Sequence, residues 1–458
     1  MIRKVLPLVA LTLLSSTLFA GTFQTNRPSS TDNDDSCDIS VLPAATLLLP
    51  YFEVEVNAPA SVAKTTIFTV VNTTRNPQIA RITLWTDYGY PVMTFNAFLT
   101  GYDVQAFNVY DLIVRGIIAP PSGTSNANTP GSRSLSNTGG NLNFLPDAAQ
   151  TCNSSGVPSI LPANITQDIR NALTIGTSTA CGSTRIGGIH DLPGGNVAAG
   201  FITIDLVANC SYVRPTDAAF FKELLYDNVL TGDYEQIAPN PATGNYAGGN
   251  PLVHIRAIPE GGPAGNVAST GLPYTFYDHL TPGTARQMDR RQPLPATFVA
   301  RYIQGGPTAF TTEYQIWREP LTAANAACDL YRNNIRPYVE AVRFDERENP
   351  TTVSPSVIPE APFIALTLPV ASKSLSTNVQ FPPLTSGDLA GWMYLNLHTG
   401  GSGIPGTRPS QNWVTVNMFA EGRFSVMFDA TMLGNGCSPV APSPTGTTTN
   451  PIGPAPNN

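Results

Sequence analysis

Four histidines, His190, His254, His279 and His398, bound the acid–base and metal chemistry open to this chain. None stands in an H-E-x-x-H motif, the one-face helical pair that holds a catalytic zinc. His190-Asp191 and Asp278-His279 are adjacent acid–histidine pairs. Neighbours on a strand point to opposite sides, so adjacency alone makes no dyad, and both pairs read as surface or turn residues. His254, between Val253 and Ile255, reads as a half-buried strand residue. Carboxylates cluster at Asp345, Glu346 and Glu348, with Arg343 and Arg347 interleaved. Two carboxylates facing each other about 5 to 10 Å apart can hydrolyse a glycoside. A charged run ahead of Asn349-Pro350, however, reads as a solvated turn. Asp32, Asp34 and Asp35 lack the central glycine and terminal glutamate of a calcium loop and read as linker. The exposed strand faces also offer Trp85, Tyr88, Tyr90, Trp317, Trp392 and Trp413. Such rings stack on sugars or a partner protein, or else fill the core and pair across strands.

Six cysteines, Cys37, Cys152, Cys181, Cys210, Cys328 and Cys437, form no C-x-x-C pair, which favours disulfides over a zinc or redox site. Fifteen pairings are open. Cys152 with Cys181 is expected, because both lie in one loop-like stretch. Cys37 with Cys210 and Cys328 with Cys437 follow as weaker expectations. No G-x-S-x-G elbow, phosphate-binding loop or dinucleotide fingerprint occurs, so no catalytic residue, cofactor or metal site is assigned.

The elements that would carry these residues read mostly as strands. Ala80, Ile82 and Leu84 alternate with Arg81, Thr83 and Trp85; Thr86-Asp87-Tyr88-Gly89 turns the chain, and Pro91 starts the return strand. Ile202, Ile204 and Leu206 share one face, and Thr203 and Asp205 the other. Strands are also expected at 66–71, 105–114, 252–258, 297–303, 313–318, 336–344, 363–368, 392–397, 413–419 and 423–430. Two short helices break the pattern: Asn164 to Ile175, with a stripe of Ile165, Ile169 and Leu173 between Pro162 and Gly176, and Ala218 to Tyr226.

Composition sets the compartment. Arg3 and Lys4, the apolar Val5 to Leu14 and the small Ser15 to Ala20 have the layout of a signal peptide. The apolar core is too short for a comfortable membrane span, and no later stretch reaches the required length. Charged residues are only 12% of the chain, about half the usual share. Lysine occurs only at Lys4, Lys64, Lys222 and Lys373. A net charge of −7 without a basic patch argues against nucleic-acid binding. Four glycosylation sequons begin at Asn72, Asn153, Asn164 and Asn209.

The stretches Cys37 to Phe52, Ile79 to Asp111, Gly200 to Cys210, Asn228 to Tyr234, Leu252 to Ala257 and Tyr314 to Glu319 resemble a group of uncharacterised exported bacterial proteins. The resemblance implies a compartment and a shared scaffold but no reaction. Thr65 to Trp85 is similar in style to immunoglobulin-like modules of bacterial surfaces.

The fold expected is all-β, an antiparallel, immunoglobulin-like β-sandwich in two domains with a long loop and helix insertion; a single larger sandwich is the alternative, since Cys437 could reach back across the chain. Its parts are a signal peptide (1–20), a polar linker (21–36), a first domain (37–118 with 197–215), an insertion (119–196), a second domain (216–437) and a disordered tail (438–458). A secreted or cell-envelope structural or binding module is the expected function, with an envelope protein or glycan as partner. An extracellular polysaccharide hydrolase using paired carboxylates is the alternative.

Overall fold

In the computed structural model the described residues are 39–118, 161–188, 195–208, 211, 213–240, 244–257, 276–277, 289–307, 309–320, 328, 338–352, 372–376, 389–399, 411–420 and 424–433. The expected signal peptide, polar linker and tail lie outside them. So do Cys37, Cys152, Cys210, Cys437, His190, His279, Asn153, Asn209 and most of the insertion.

The chain is all-β and antiparallel. Its strands are β1 (Thr46–Glu55), β2 (Thr65–Asn72), β3 (Gln78–Thr86), β4 (Pro91–Leu99), β5 (Val104–Asn108), β6 (Val197–Val207), β7 (Leu230–Thr231), β8 (Asp233–Asn240), β9 (Gly244–Pro251) and β10 (Val253–Ile255). They continue as β11 (Thr297–Ile303), β12 (Phe310–Arg318), β13 (Tyr338–Asp345), β14 (Pro350–Thr352), β15 (Ser372–Ser376), β16 (Ala390–Thr399), β17 (Asn412–Ala420), β18 (Phe424–Asp429) and β19 (Thr431–Met432). Among the described residues an α-helix, α1 (Ala163–Thr174), lies between β5 and β6.

Four sheets make two sandwiches. The first pairs a sheet of order β10-β1-β6-β3-β4 with one of order β5-β2-β8-β9, onto which β7 adds beside β2. Leu47, Leu49, Ile82, Leu84, Ile202 and Ile204 meet Phe68, Val70, Phe107 and Tyr234 between them. The second pairs β14-β13-β16-β11-β19 with β15-β12-β17-β18, closing on Phe298, Tyr302, Ile316, Met393, Val414 and Val416. Strands β7, β8 and β10, which fall beyond the boundary expected at 216, thus hydrogen-bond to β1 or β2, and β9 joins through β8.

Both faces of the β1-β6-β3 sheet are covered. Ala80, Ile82 and Leu84 face the first core as the alternation requires. Their neighbours Arg81, Thr83 and Trp85 are just as buried, under a second apolar layer of Phe220, Phe221, Tyr226, Phe276, Tyr277 and Leu294. Trp317 of β12 and Trp413 of β17 enter that layer from the second sandwich. Trp85 stacks on Phe201 at 5.4 Å, and Phe201 meets Trp317 edge-on at 5.8 Å. Trp85, Trp317 and Trp413 are therefore core residues, not members of an exposed face.

Gly89 takes φ +81° in the β3–β4 turn, as its position after Thr86-Asp87-Tyr88 requires. A Cβ there would sit 2.3 Å from the Pro320 side chain, so the turn packs against the chain leaving β12. α1 forms where expected and ends at Gly176 with φ +72°. Its buried stripe is rotated: Thr166, Ile169, Ala172 and Leu173 face inward, while Ile165 is exposed. Two further expectations change. The strand expected to run to Val114 stops at Asn108 and gives way to a π-helical turn at Asp111–Arg115, which buries Leu112 and Ile113. The helix expected over 218–226 is a 3-10 turn at Phe220–Lys222.

The expected Cys152–Cys181 bridge is not formed. Cys181 is bonded to Cys328, with Cα atoms 5.6 Å apart and a sequence separation of 147, which also removes Cys328 from Cys437. Cys181 packs with Ala172 and Ile186 below α1, where Cys328 comes to it from the segment after β12. Nearness along the chain misled because the loop after α1 packs on α1 and the β3–β4 turn, where Cys328 reaches it from far along the sequence.

Candidate functional site

Register builds a polar row across the buried outer face of the first sheet. Thr46 on β1 stands opposite Asp205 on β6, Asp205 opposite Arg81 on β3, and Arg81 opposite Asn96 on β4. All four are fully or almost fully buried. A buried polar group needs a partner, and here the partners come from loops laid over the sheet.

Arg291 closes one half of the row. Its Nη1 donates to Asp205 Oδ1 at 2.5 Å and to Thr46 Oγ1 at 2.9 Å. Its Nε and Nη2 donate to both oxygens of Asp289, at 2.8 and 3.0 Å, in a two-pronged fork. The guanidinium lies over the Tyr277 ring at 4.3 Å. Thr46 Oγ1 donates to Asp205 Oδ1 at 2.7 Å, and the Tyr277 hydroxyl to Asp205 Oδ2 at 2.9 Å. The Asp205, Asp289 and Arg291 side chains have no exposed surface. Burial lowers the pKa of Arg291, but Asp289 and Asp205 outweigh it, and the net shift is upward, so the guanidinium stays charged. Burial raises the Asp205 carboxyl against the opposing pull of Arg291, Thr46 and Tyr277.

Arg81 closes the other half. It donates to Asn96 Oδ1 at 3.1 Å and to the Val213 carbonyl at 3.3 Å, and pairs with Glu223 at 2.7 Å. Asn96 Nδ2 donates to the Ser211 carbonyl, and Ser211 Oγ to Glu223 Oε2 at 2.6 Å. Residues 213–226, with Ser211, and residues 276–277 and 289–291 are thus fastened to one sheet by a single line of charges.

A second cluster is partly open to solvent. Glu53 on β1 accepts from the Tyr51 hydroxyl on Oε2 and pairs with Lys64 on Oε1, both at 2.9 Å. The Glu53 side chain is 21% exposed. Burial pulls the Lys64 pKa down, but Glu53, Glu313 and Glu55 raise it more, so the amine stays protonated and is no nucleophile.

The residues singled out by motif reading are scattered. His254 is buried on β10, with Nδ1 at 2.8 Å from the Leu42 carbonyl. Donation from Nδ1 leaves Nε2 to accept from the Gly232 amide at 3.4 Å. Asp345 turns back on its own hairpin, accepting from the Arg347 and Asn349 amides, each at 2.8 Å. Hydrogen bonds from Asn349 hold its carboxyl below the ordinary value. Glu346 and Glu348 are exposed, and Glu348 has φ 62°. Trp392 on β16 is 43% exposed, with Arg301 of β11 over its ring at 5.2 Å. The Asn72 sequon is closed: its Nδ2 donates to the carbonyls of Asn76 and Thr100. Asn164 stands exposed on the first turn of α1.

Motif reading missed Asp205 as a centre, and Arg291, Asp289 and Glu223 altogether. The available signal was a charge inside an apolar strand, Asp205 between Ile204 and Leu206 and Arg81 between Ala80 and Ile82. Among the described residues no group of three or more His, Cys, Asp or Glu is placed to hold a metal ion. No described helix is long and apolar enough to cross a membrane. No protein-family model matches the chain, and no curated protein matches its sequence.

Proposed function

We propose that this chain is an exported, non-catalytic structural or binding module of a cell envelope or secretome. The observation that carries the reading is the turning of its buried charges upon one another. Asp205, Arg291 and Asp289 have no exposed surface and fasten loops to a sheet, a role that serves a scaffold. Export is supported by the Arg3 to Ala20 pattern, and the Cys181–Cys328 bond suits an oxidising compartment. The likeness to uncharacterised exported bacterial proteins and to immunoglobulin-like modules belongs to the same reading. Its contact surface is the row of Arg301, Trp392 and Phe344 on neighbouring strands, where an exposed indole offers a stacking plane to a glycan or an envelope protein.

The test is a glycan array and an envelope-fraction pull-down with the wild type and Trp392→Ala. Binding that falls at least tenfold in the variant supports the reading. Equal binding by both removes Trp392 from it. The second reading, a polysaccharide hydrolase, rests on Glu53, the partly exposed carboxylate that shares Lys64 with Glu55 and Glu313. Release of reducing ends from a polysaccharide panel by the wild type, and not by Glu53→Gln, would replace the module with an enzyme.

A further inference from the structure

One of the places where the two sandwiches meet is between β8 and β9 on one side and β12, β17 and β18 on the other. Gln236 and Gln315 exchange amide hydrogen bonds at 3.0 and 2.8 Å, and Met427 of β18 enters the first core. At one end of this seam lies Asp429. Its Oδ1 accepts from Asn250 Nδ2 at 2.6 Å, across the seam, and from Trp413 Nε1 at 2.9 Å and Thr415 Oγ1 at 3.2 Å within its own sheet. The groups facing it are Trp413 and Thr415 from β17, Asn250 from β9 and Tyr234 of β8, whose hydroxyl reaches Thr415 at 3.5 Å. Only Tyr234 among them titrates, and burial lifts its pKa, so it stays neutral. No described Lys or Arg forms an ion pair with Asp429, so a shielded negative charge sits at a seam held by neutral dipoles.

We propose that Asp429 is an acid-operated latch: taking up a proton, it tightens the seam between the two sandwiches. Desolvation with no countercharge favours the neutral acid, against the three donors that favour the carboxylate. Burial prevails and lifts the carboxyl from 3.8 to about 6. A carboxyl raised on folding binds its proton more tightly in the folded state. Its stabilisation is full below the unfolded value of 3.8 and is lost as pH rises through about 6. Between pH 7 and pH 5 this one group raises the folded-to-unfolded ratio roughly tenfold.

The experiment compares wild type with Asp429→Asn, which keeps the Oδ1 acceptor and removes the titration. Urea unfolding from pH 7.5 to 5 should show the wild type gaining roughly tenfold on the variant as pH falls. Hydrogen exchange of wild-type peptides spanning 245–251 and 424–429, corrected for intrinsic rates, should show protection rising over the same range, and needs no variant. Trp413→Phe removes a donor to the carboxylate and should move the midpoint to higher pH. A wild-type-to-Asn difference that stays constant with pH, or protection that falls on acidification, overturns the latch.

Discussion

Replacing Arg291 with Met tests the buried row most directly. The substitution keeps an unbranched side chain but strips Asp289 of both prongs of its fork and Asp205 of its cation. Thr46 and Tyr277 still donate to Asp205, at 2.7 and 2.9 Å. Breaking one member out of a fully buried ionic group costs about 3–5 kcal/mol, because the remaining charges stay desolvated. The variant should lose that much in urea unfolding at pH 7, followed by the fluorescence of the buried Trp85 and Trp317. Burial already raises the Asp205 carboxyl against the pull of Arg291, so without the guanidinium it binds a proton still more tightly in the folded state. Stability from such a group is present at low pH and lost as pH rises, and the deficit of the variant should shrink on acidification from pH 7 to 5. Asp205→Asn should cost only about 1 kcal/mol, since its oxygen still accepts from Thr46 and Arg291. A Met variant within about 1 kcal/mol of wild type at pH 7, or with a deficit indifferent to pH, would refute the view that this row clamps the loops.

Gly89→Ala should destabilise by about 1–3 kcal/mol, because φ +81° and Pro320 at 2.3 Å oppose a Cβ together; the urea midpoint reads it. Cys181→Ser with Cys328→Ser should cost up to about 5 kcal/mol on a loop of 147 residues, and non-reducing peptide mapping of the wild type should recover this pair and not Cys152–Cys181. His254→Gln should be destabilised by about 1–2 kcal/mol while leaving any glycan binding unchanged, as a buried ring tied to the Leu42 carbonyl requires.

The sequence by itself determined the local geometry. Alternation in β3 and β6 separated Ile82 and Ile204 from Arg81 and Asp205, and it did so correctly, because side chains on a strand change face at every residue. Pro162 and Gly176 marked the ends of α1, and Gly89 the β3–β4 turn, because backbone restriction is a property of single residues. Only the tertiary structure decided what each face meets. A period of two looks the same whether the polar face is wet or covered, so alternation alone did not place Arg81, Asp205, Trp85 and Trp317 under a second layer. The row itself depends on register between residues 15 to 159 apart and on Arg291 arriving from a distant loop. The Cys181–Cys328 bond is non-local in the same way. Long-range pairing is chosen by the whole fold, and for that reason the charges that hold this protein together were legible as residues but not as a site.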